Sequence, residues 1–173
     1  MERLTPLCFL LSFCLLTTAC TPNDPCQIDK TSFSTCLKLA NQGDKRAQFT
    51  LSLFYAKGLG VEQDYQKAIV WGTKAAKQGS PDGQSILGFF YMKGLGVPKD
   101  GSVAMKWFLK AAAQGDAYAP RNLAMIYELG HVVPRDYKKA LELYQKASDK
   151  DFSNLEAKIQ ELKEKLNRSK NSI

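Results

Sequence analysis

The sequence predicts an all-α fold, an α-solenoid of paired antiparallel helices, and three observations predict it. The phrase "FYAKGLGVEQD" at Phe54–Asp64 returns as "FYMKGLGVPKD" at Phe90–Asp100, with eight of eleven residues identical. The same 36-residue step links Tyr55, Tyr91 and Tyr127, then Gly58, Gly94 and Gly130, then Val61, Val97 and Val133, then Asp64, Asp100 and Asp136. Between these fixed points the apolar residues follow a helical period. Ala47, Leu51, Phe54 and Tyr55 fall at i, i+4, i+7 and i+8, and Ala68, Trp71 and Ala75 at i, i+3 and i+7. Self-similarity at a period of this size is the mark of stacked supersecondary units.

Taken from the start, residues 1–19 read as a signal peptide. Arg3 is followed by an apolar run, Leu7 to Leu16, broken only by Ser12, and then by the small residues Thr17, Thr18 and Ala19. The run is too short for a bilayer core, which needs about 20 residues. The ending resembles a bacterial lipobox. That pattern prefers Leu three residues before the cysteine; here Thr17 stands there and Leu16 is one further back. The resemblance implies a lipid on Cys20, an anchor at the cell envelope and, because Thr21 stands where Asp would favour inner-membrane retention, an outer-membrane location facing the periplasm. The other reading is an ordinary secretory signal. Residues 20–30 then form a tether. Cys26 and Cys36 are the two cysteines left, and an even pair in an exported chain reads as a disulfide. Closing so short a loop would contribute roughly 2–3 kcal/mol. The alternative leaves both thiols reduced.

The solenoid spans residues 31–170. Lys38, Leu39, Gln42 and Gly43 align with Lys74, Ala75, Gln78 and Gly79, so residues 31–42 form a lone helix before repeats at about 44–79, 80–115 and 116–151. Each repeat has a helix A and a helix B, at 44–57 and 64–78 in the first. Gly58 suits the left-handed position that ends helix A, Val61 plugs inward, and Asp64 caps helix B. Ser80 and Pro81 restart the next helix A as cap and first residue. Small residues, Ala75 and Ala76 or Ala111 to Ala113, permit close approach, and Trp71 and Trp107 are expected to fill the gap between units. The third repeat departs at Val132, Leu143, Ser148 and Asp151, so a differently shaped corner is expected, with helix A shortened by Pro120. Residues 154–169, with Leu155, Ile159, Leu162 and Leu166 on one face, read as a capping helix, polar outside as a solenoid end requires.

The pattern A-x3-L-x3-Y-x2-G-x-G-V-x2-D-x3-A-x2-W-x3-A-A-x2-G resembles the Sel-one-like repeat (SLR) family, relatives of tetratricopeptide repeats. It is near-complete over Ala47–Gly79 and over Gly83–Gly115, where Gly83 replaces the first Ala, and degenerate over Ala119–Asp151. The resemblance implies a right-handed superhelix and a scaffold or adaptor that holds a protein or peptide partner, at a bacterial envelope or a host interface.

Nothing in the chain points to catalysis. Its one histidine, His131, sits at a corner where the other repeats carry Leu59 and Leu95. The glycine phrase lacks the third glycine of a dinucleotide loop and the Gly-Lys-Ser/Thr of a phosphate loop. No HExxH, CxxC or calcium loop appears, and no serine beyond Cys20 precedes a lysine by three. No catalytic residue, metal or cofactor is therefore expected. The rival from another class is a cell-wall enzyme or a β-lactam-binding SLR protein. The formal charge is +7. Lys67, Lys74, Lys77, Lys106, Lys110, Lys138, Lys139 and Lys146 are placed on faces away from the Trp and Ala stripe. They read as a solvated surface or as a weak attraction to anionic envelope polymers; nucleic acid is not expected for an exported chain.

The candidate binding surface is on helix A. With Leu51 inward, the face about 140–200° away carries Phe49 and Leu53, then Phe89 and Met92, then Met125, edged by Asp82, Tyr118 and Arg121. In solenoids of this kind helix A lines the concave side, and aromatic, Met and Arg residues are enriched at interfaces. Phe89 is expected exposed, and Leu87 and Trp107 buried. The opposing reading is that superhelical curvature buries some of these side chains between neighbouring A helices.

Overall fold

The computed structural model describes residues 33–148 and 155–170. The signal peptide, Cys20, the tether and Cys26 lie outside the described residues, as does Asp151. Among the described residues eight helices follow one another: α1 Phe33–Asn41, α2 Lys45–Lys57, α3 Tyr65–Lys77, α4 Pro81–Lys93, α5 Gly101–Ala113, α6 Ala119–Leu129, α7 Tyr137–Ser148 and α8 Glu156–Lys170. Each packs on the next, which makes an all-α solenoid. None of the described helices is long and apolar enough to cross a membrane.

The repeated phrase is a corner built from three parts. Gly58, Gly94 and Gly130 end α2, α4 and α6 at φ 67°, 74° and 70°, a conformation that strains any side chain. Six residues later an aspartate caps the next helix: Asp64, Asp100 and Asp136 accept from the amides of Lys67, Val103 and Lys139 at 3.0, 2.9 and 2.8 Å. Each aspartate's own N–H donates back to the carbonyl of Tyr55, Tyr91 or Tyr127, at 2.9 Å in all three. The cap and the back-bond fix the nine-residue spacing between tyrosine and aspartate.

The third corner keeps these three parts, but its shape differs as its degenerate sequence predicts. Leu59 and Leu95 also donate to the carbonyls of Phe54 and Phe90 at 3.0 Å, a bond without a counterpart at His131, and Val132 stands where Gly60 and Gly96 are left-handed. The reason lies across the interface. A Cβ on Gly96 would lie 2.5 Å from the Tyr65 carbonyl oxygen, so the second corner sits on the first turn of α3 and needs a glycine there. One repeat on, Val132 replaces that glycine, and Gly101 replaces the tyrosine at the first residue of α5. Val132 Cγ2 occupies the space that a Cβ on Gly101 would need. The bulk has changed sides, while the aspartate cap and its back-bond are kept. Helix α6 is 11 residues long against 13 for α2 and α4. Pro120 is buried at its start, and Asp116 accepts from the amides of Tyr118 and Ala119 at 3.0 and 2.6 Å.

Phenylalanines, not tryptophans, fill the interior. Phe54, Phe90 and Phe108 are at most 1% exposed, while Trp71 and Trp107 are half-buried. The expectation that the indoles are buried is thus corrected in degree: Trp71 packs against the first core and Trp107 against that of α3 and α4, and each stays part-exposed. In the first full repeat Ser52 faces Gly72 and donates to the Ala68 carbonyl at 2.7 Å. In the second, the ring of Phe108 takes the place of Gly72 and its partner is Gly88, where a Cβ would lie 2.8 Å from the ring. With the interior occupied in this way, the indoles lie further out on helix B.

A second correction follows. Lys74 Nζ lies 3.9 Å from the centroid of Trp71, and Lys110 Nζ 4.6 Å from that of Trp107. These lysines share the tryptophans' face, as side chains three apart on a helix do, and are not turned away from it. At the far end the last core is covered by Leu162 of α8 and by Leu155 just before that helix. Lys158 bonds Glu128 of α6 at 2.6 Å and Glu161 at 3.0 Å. Its partners Lys165 and Lys158 hold the Glu161 carboxyl down to about 2. Burial, with Glu128 as acceptor at 3.1 Å, pushes the Tyr144 hydroxyl well above its usual range.

Candidate functional site

The first helices of the pairs are α2, α4 and α6. Helix α2 packs directly on α4 as well as on its own partner α3. Between them runs a groove of about 350 Å³. Its apolar wall is Phe49 and Leu53 of α2 with Ile86 and Phe89 of α4, and Tyr118 stands over it from the turn before α6. Its polar groups are Lys57, Asp82, Ser85, Asp116, Arg121 and Asn122.

Phe49, Leu53, Phe89, Tyr118 and Arg121 thus meet around one concavity, with Asp82 at its edge. Met92 and Met125 do not line it; they are half-buried against the cores of the second and third repeats. Leu87 is 2% exposed, as expected, but Phe89 is half-buried rather than open to solvent. Its ring packs on two cores at once and tilts against Phe90 at 6.4 Å. The exposed aromatic of the groove is Tyr118, at 58%.

Sequence reasoning missed Lys57, Ser85, Ile86, Asp116 and Asn122. Ser85 and Ile86 stand four and three residues before Phe89, one helical turn away, and that spacing could have found them. Asp116 falls one repeat after Ser80 and two after Asp44, so it reads as a cap, which it is. The period does not reveal that the same carboxylate forms part of the groove. Burial pushes the Asp116 carboxyl above its usual value, and the charge of Asp82 adds to that; the bonds from Ala119, Ser85 and Tyr118 oppose it.

The groove holds no histidine or cysteine, and among the described residues no His, Cys, Asp and Glu cluster could hold a metal. His131 is exposed at the third corner. Mixed polar groups around apolar side chains suit the reception of another chain.

Stacked helix pairs define the class: an α-solenoid. The chain belongs to the Sel1 repeat family, whose model matches residues 45–80, 81–116 and 117–152. Proteins of this family generally mediate protein–protein interactions, and the fold is typically non-catalytic. Among solved structures, a Sel1 repeat protein from Oxalobacter formigenes is 35% identical, with a TM-score of 0.65, over 72% of this chain and 51% of that one. The protective antigen c5321, present in uropathogenic Escherichia coli strains and displaying an SLR fold, is 31% identical, with a TM-score of 0.65, over 70% and 26%. Cysteine rich protein B of Helicobacter pylori shares the fold at 22% identity, with a TM-score of 0.58, over 72% and 92%. The chain spans about half the length of the first of these and about a quarter of the second. No curated protein matches it.

Proposed function

We propose that this chain is an envelope lipoprotein that acts as a scaffold or adaptor and holds a protein or peptide in the groove. The observation that carries the reading is the meeting of Phe49, Leu53, Phe89 and Tyr118, from two helices and the turn before a third, around one open concavity. Tyr118 is its best probe because it contributes least to the core. A photoreactive residue at position 118, in the native cell, captures the partner for identification. Tyr118→Ala should then weaken binding of that partner about thirtyfold, a loss near 2 kcal/mol. Thermal stability should change by no more than about 0.5 kcal/mol. Unchanged affinity in a folded variant would remove the groove as the binding site.

The envelope location rests on the signal pattern and Cys20. Cys20→Ala should move the protein from membrane to soluble fractions, and full retention in the membrane would rule out the lipid as its anchor. The proposed bridge from Cys26 ends at a residue, Cys36, that is fully buried in the first core beside Ala40, Ala47, Leu51 and Phe54. A second reading, a surface or secreted factor engaging host proteins, draws on the likeness to a protective antigen. The captured partner separates the two.

A further inference from the structure

The outer helices carry a second surface with a different chemistry. On α3, Lys67, Val70, Trp71, Lys74 and Lys77 fall within about 120° of one another at 100° per residue. On α5, Lys106, Trp107 and Lys110 fall within the same arc, with Leu109 at its edge. All five lysines are exposed. Val70 and Leu109 are 52% and 48% exposed, two of the four large apolar side chains that reach solvent to that degree among the described residues. Lys67 pairs with Asp64 at 3.1 Å. Among the described residues no carboxylate lies within ion-pair distance of Lys74, Lys77, Lys106 or Lys110. The ammonium groups of Lys74 and Lys110 rest on indole rings instead.

We infer that this Lys–Trp face of α3 and α5 lies on an anionic phospholipid bilayer. Unpaired lysines supply attraction to the headgroup phosphates. Trp71 and Trp107 rest partly on the cores beneath them and are half-exposed; apolar in the body and polar at the N–H, they suit the boundary between headgroups and acyl chains. The exposed Val70 and Leu109 decide between a membrane and a soluble polyanion. A hydrated polysaccharide or nucleic acid offers an aliphatic side chain nothing, whereas the interface of a bilayer takes it out of water. None of these residues lines the groove, which stays open to a partner. The inference is independent of the groove reading and of a lipid on Cys20.

Trp71 and Trp107 are the chain's only tryptophans, so their fluorescence reports on this face alone. The purified full-length chain is mixed with vesicles of phosphatidylglycerol and phosphatidylcholine in equal parts, or of phosphatidylcholine alone, with brominated acyl chains in each. The expected result is a blue shift and bromine quenching on the anionic vesicles and neither on the zwitterionic ones. An anchor elsewhere in the chain would hold the protein on both vesicle types without bringing the indoles to the bromine. Each lysine near such a surface strengthens binding about fivefold. Lys74→Glu with Lys110→Glu should therefore abolish the quenching while the helical circular dichroism is kept. Lys163→Glu, exposed on α8, should leave it unchanged. Absence of quenching, equal quenching on both vesicle types, or the same blue shift with a soluble anionic polysaccharide would each overturn the inference.

Discussion

Phe108→Ala is expected to lower the unfolding free energy by about 3–5 kcal/mol, the range for removing a fully buried aromatic. The side chain is wholly buried, among Ala104, Ala111, Ala119, Leu123 and Ile126. Its surroundings explain why the loss should reach the upper part of that range. The cost of a cavity depends on how far the neighbours can relax into it, and the residue that faces the ring most closely, Gly88, has no side chain to do so. Gly88 presents only backbone to the ring, at a separation where even a Cβ would be 2.8 Å away. The alanines have no torsion with which to follow. Collapse would require α4 and α5 to move together, which the corner at Gly94 and Asp100 resists. Urea unfolding checks this as a fall in midpoint at constant slope. Trp107→Ala, measured alongside, should cost less, because its half-exposed ring lies partly under Lys110. A loss below about 1 kcal/mol for Phe108→Ala, or a larger one for Trp107→Ala, would mean that the indoles and not the phenylalanines hold the units together.

The contrast shows what kind of information a repeat carries. Positions that recur every 36 residues are those whose job is the same in each unit, so helix ends, caps and the corner could be read from the sequence. Asp44, Ser80 and Asp116, or Gly58, Gly94 and Gly130, satisfy the same backbone groups each time. Packing between units is different, because there a change on one side is answered on the other. Gly72, Phe108 and Tyr144 share one position, and their partners Ser52, Gly88 and Ala124 share another. Neither column repeats, yet the space is filled in each. A reading that rewards recurrence picks out Trp71 and Trp107 and passes over Phe108.

The groove was legible for a related reason. Phe49, Leu53 and Phe89 violate the polar pattern expected of a solvated helix face, and such a violation is visible in one dimension. How deep each side chain sits is set by the distance between neighbouring helices. That distance half-buries Phe89 against two cores and draws Met92 and Met125 out of the groove. Angular position on a single helix does not contain it.

Gly101→Tyr is expected to destabilise the fold by about 3 kcal/mol, and Val132→Gly added to it should restore most of the loss. The single change gives α5 the residue that begins α3, but its Cβ would enter the space of Val132 Cγ2. Overpacking of this kind typically costs about 1–3 kcal/mol, and the upper end applies where a ring as well as a Cβ must be placed. Val132→Gly alone should cost about 1 kcal/mol, through lost apolar contact and a freer unfolded chain. Together the two changes rebuild the pair found one repeat earlier, where Tyr65 faces Gly96. The coupling in the double-mutant cycle should therefore be favourable, at the upper part of the roughly 0.5–3 kcal/mol seen for residues in contact. The cycle tests one specific claim: the third corner keeps its cap and back-bond because bulk was exchanged across the interface. If the two changes simply add, the corner is held by Gly130 and the Asp136 cap alone, and the exchange of Gly101 for Tyr65 has no structural consequence.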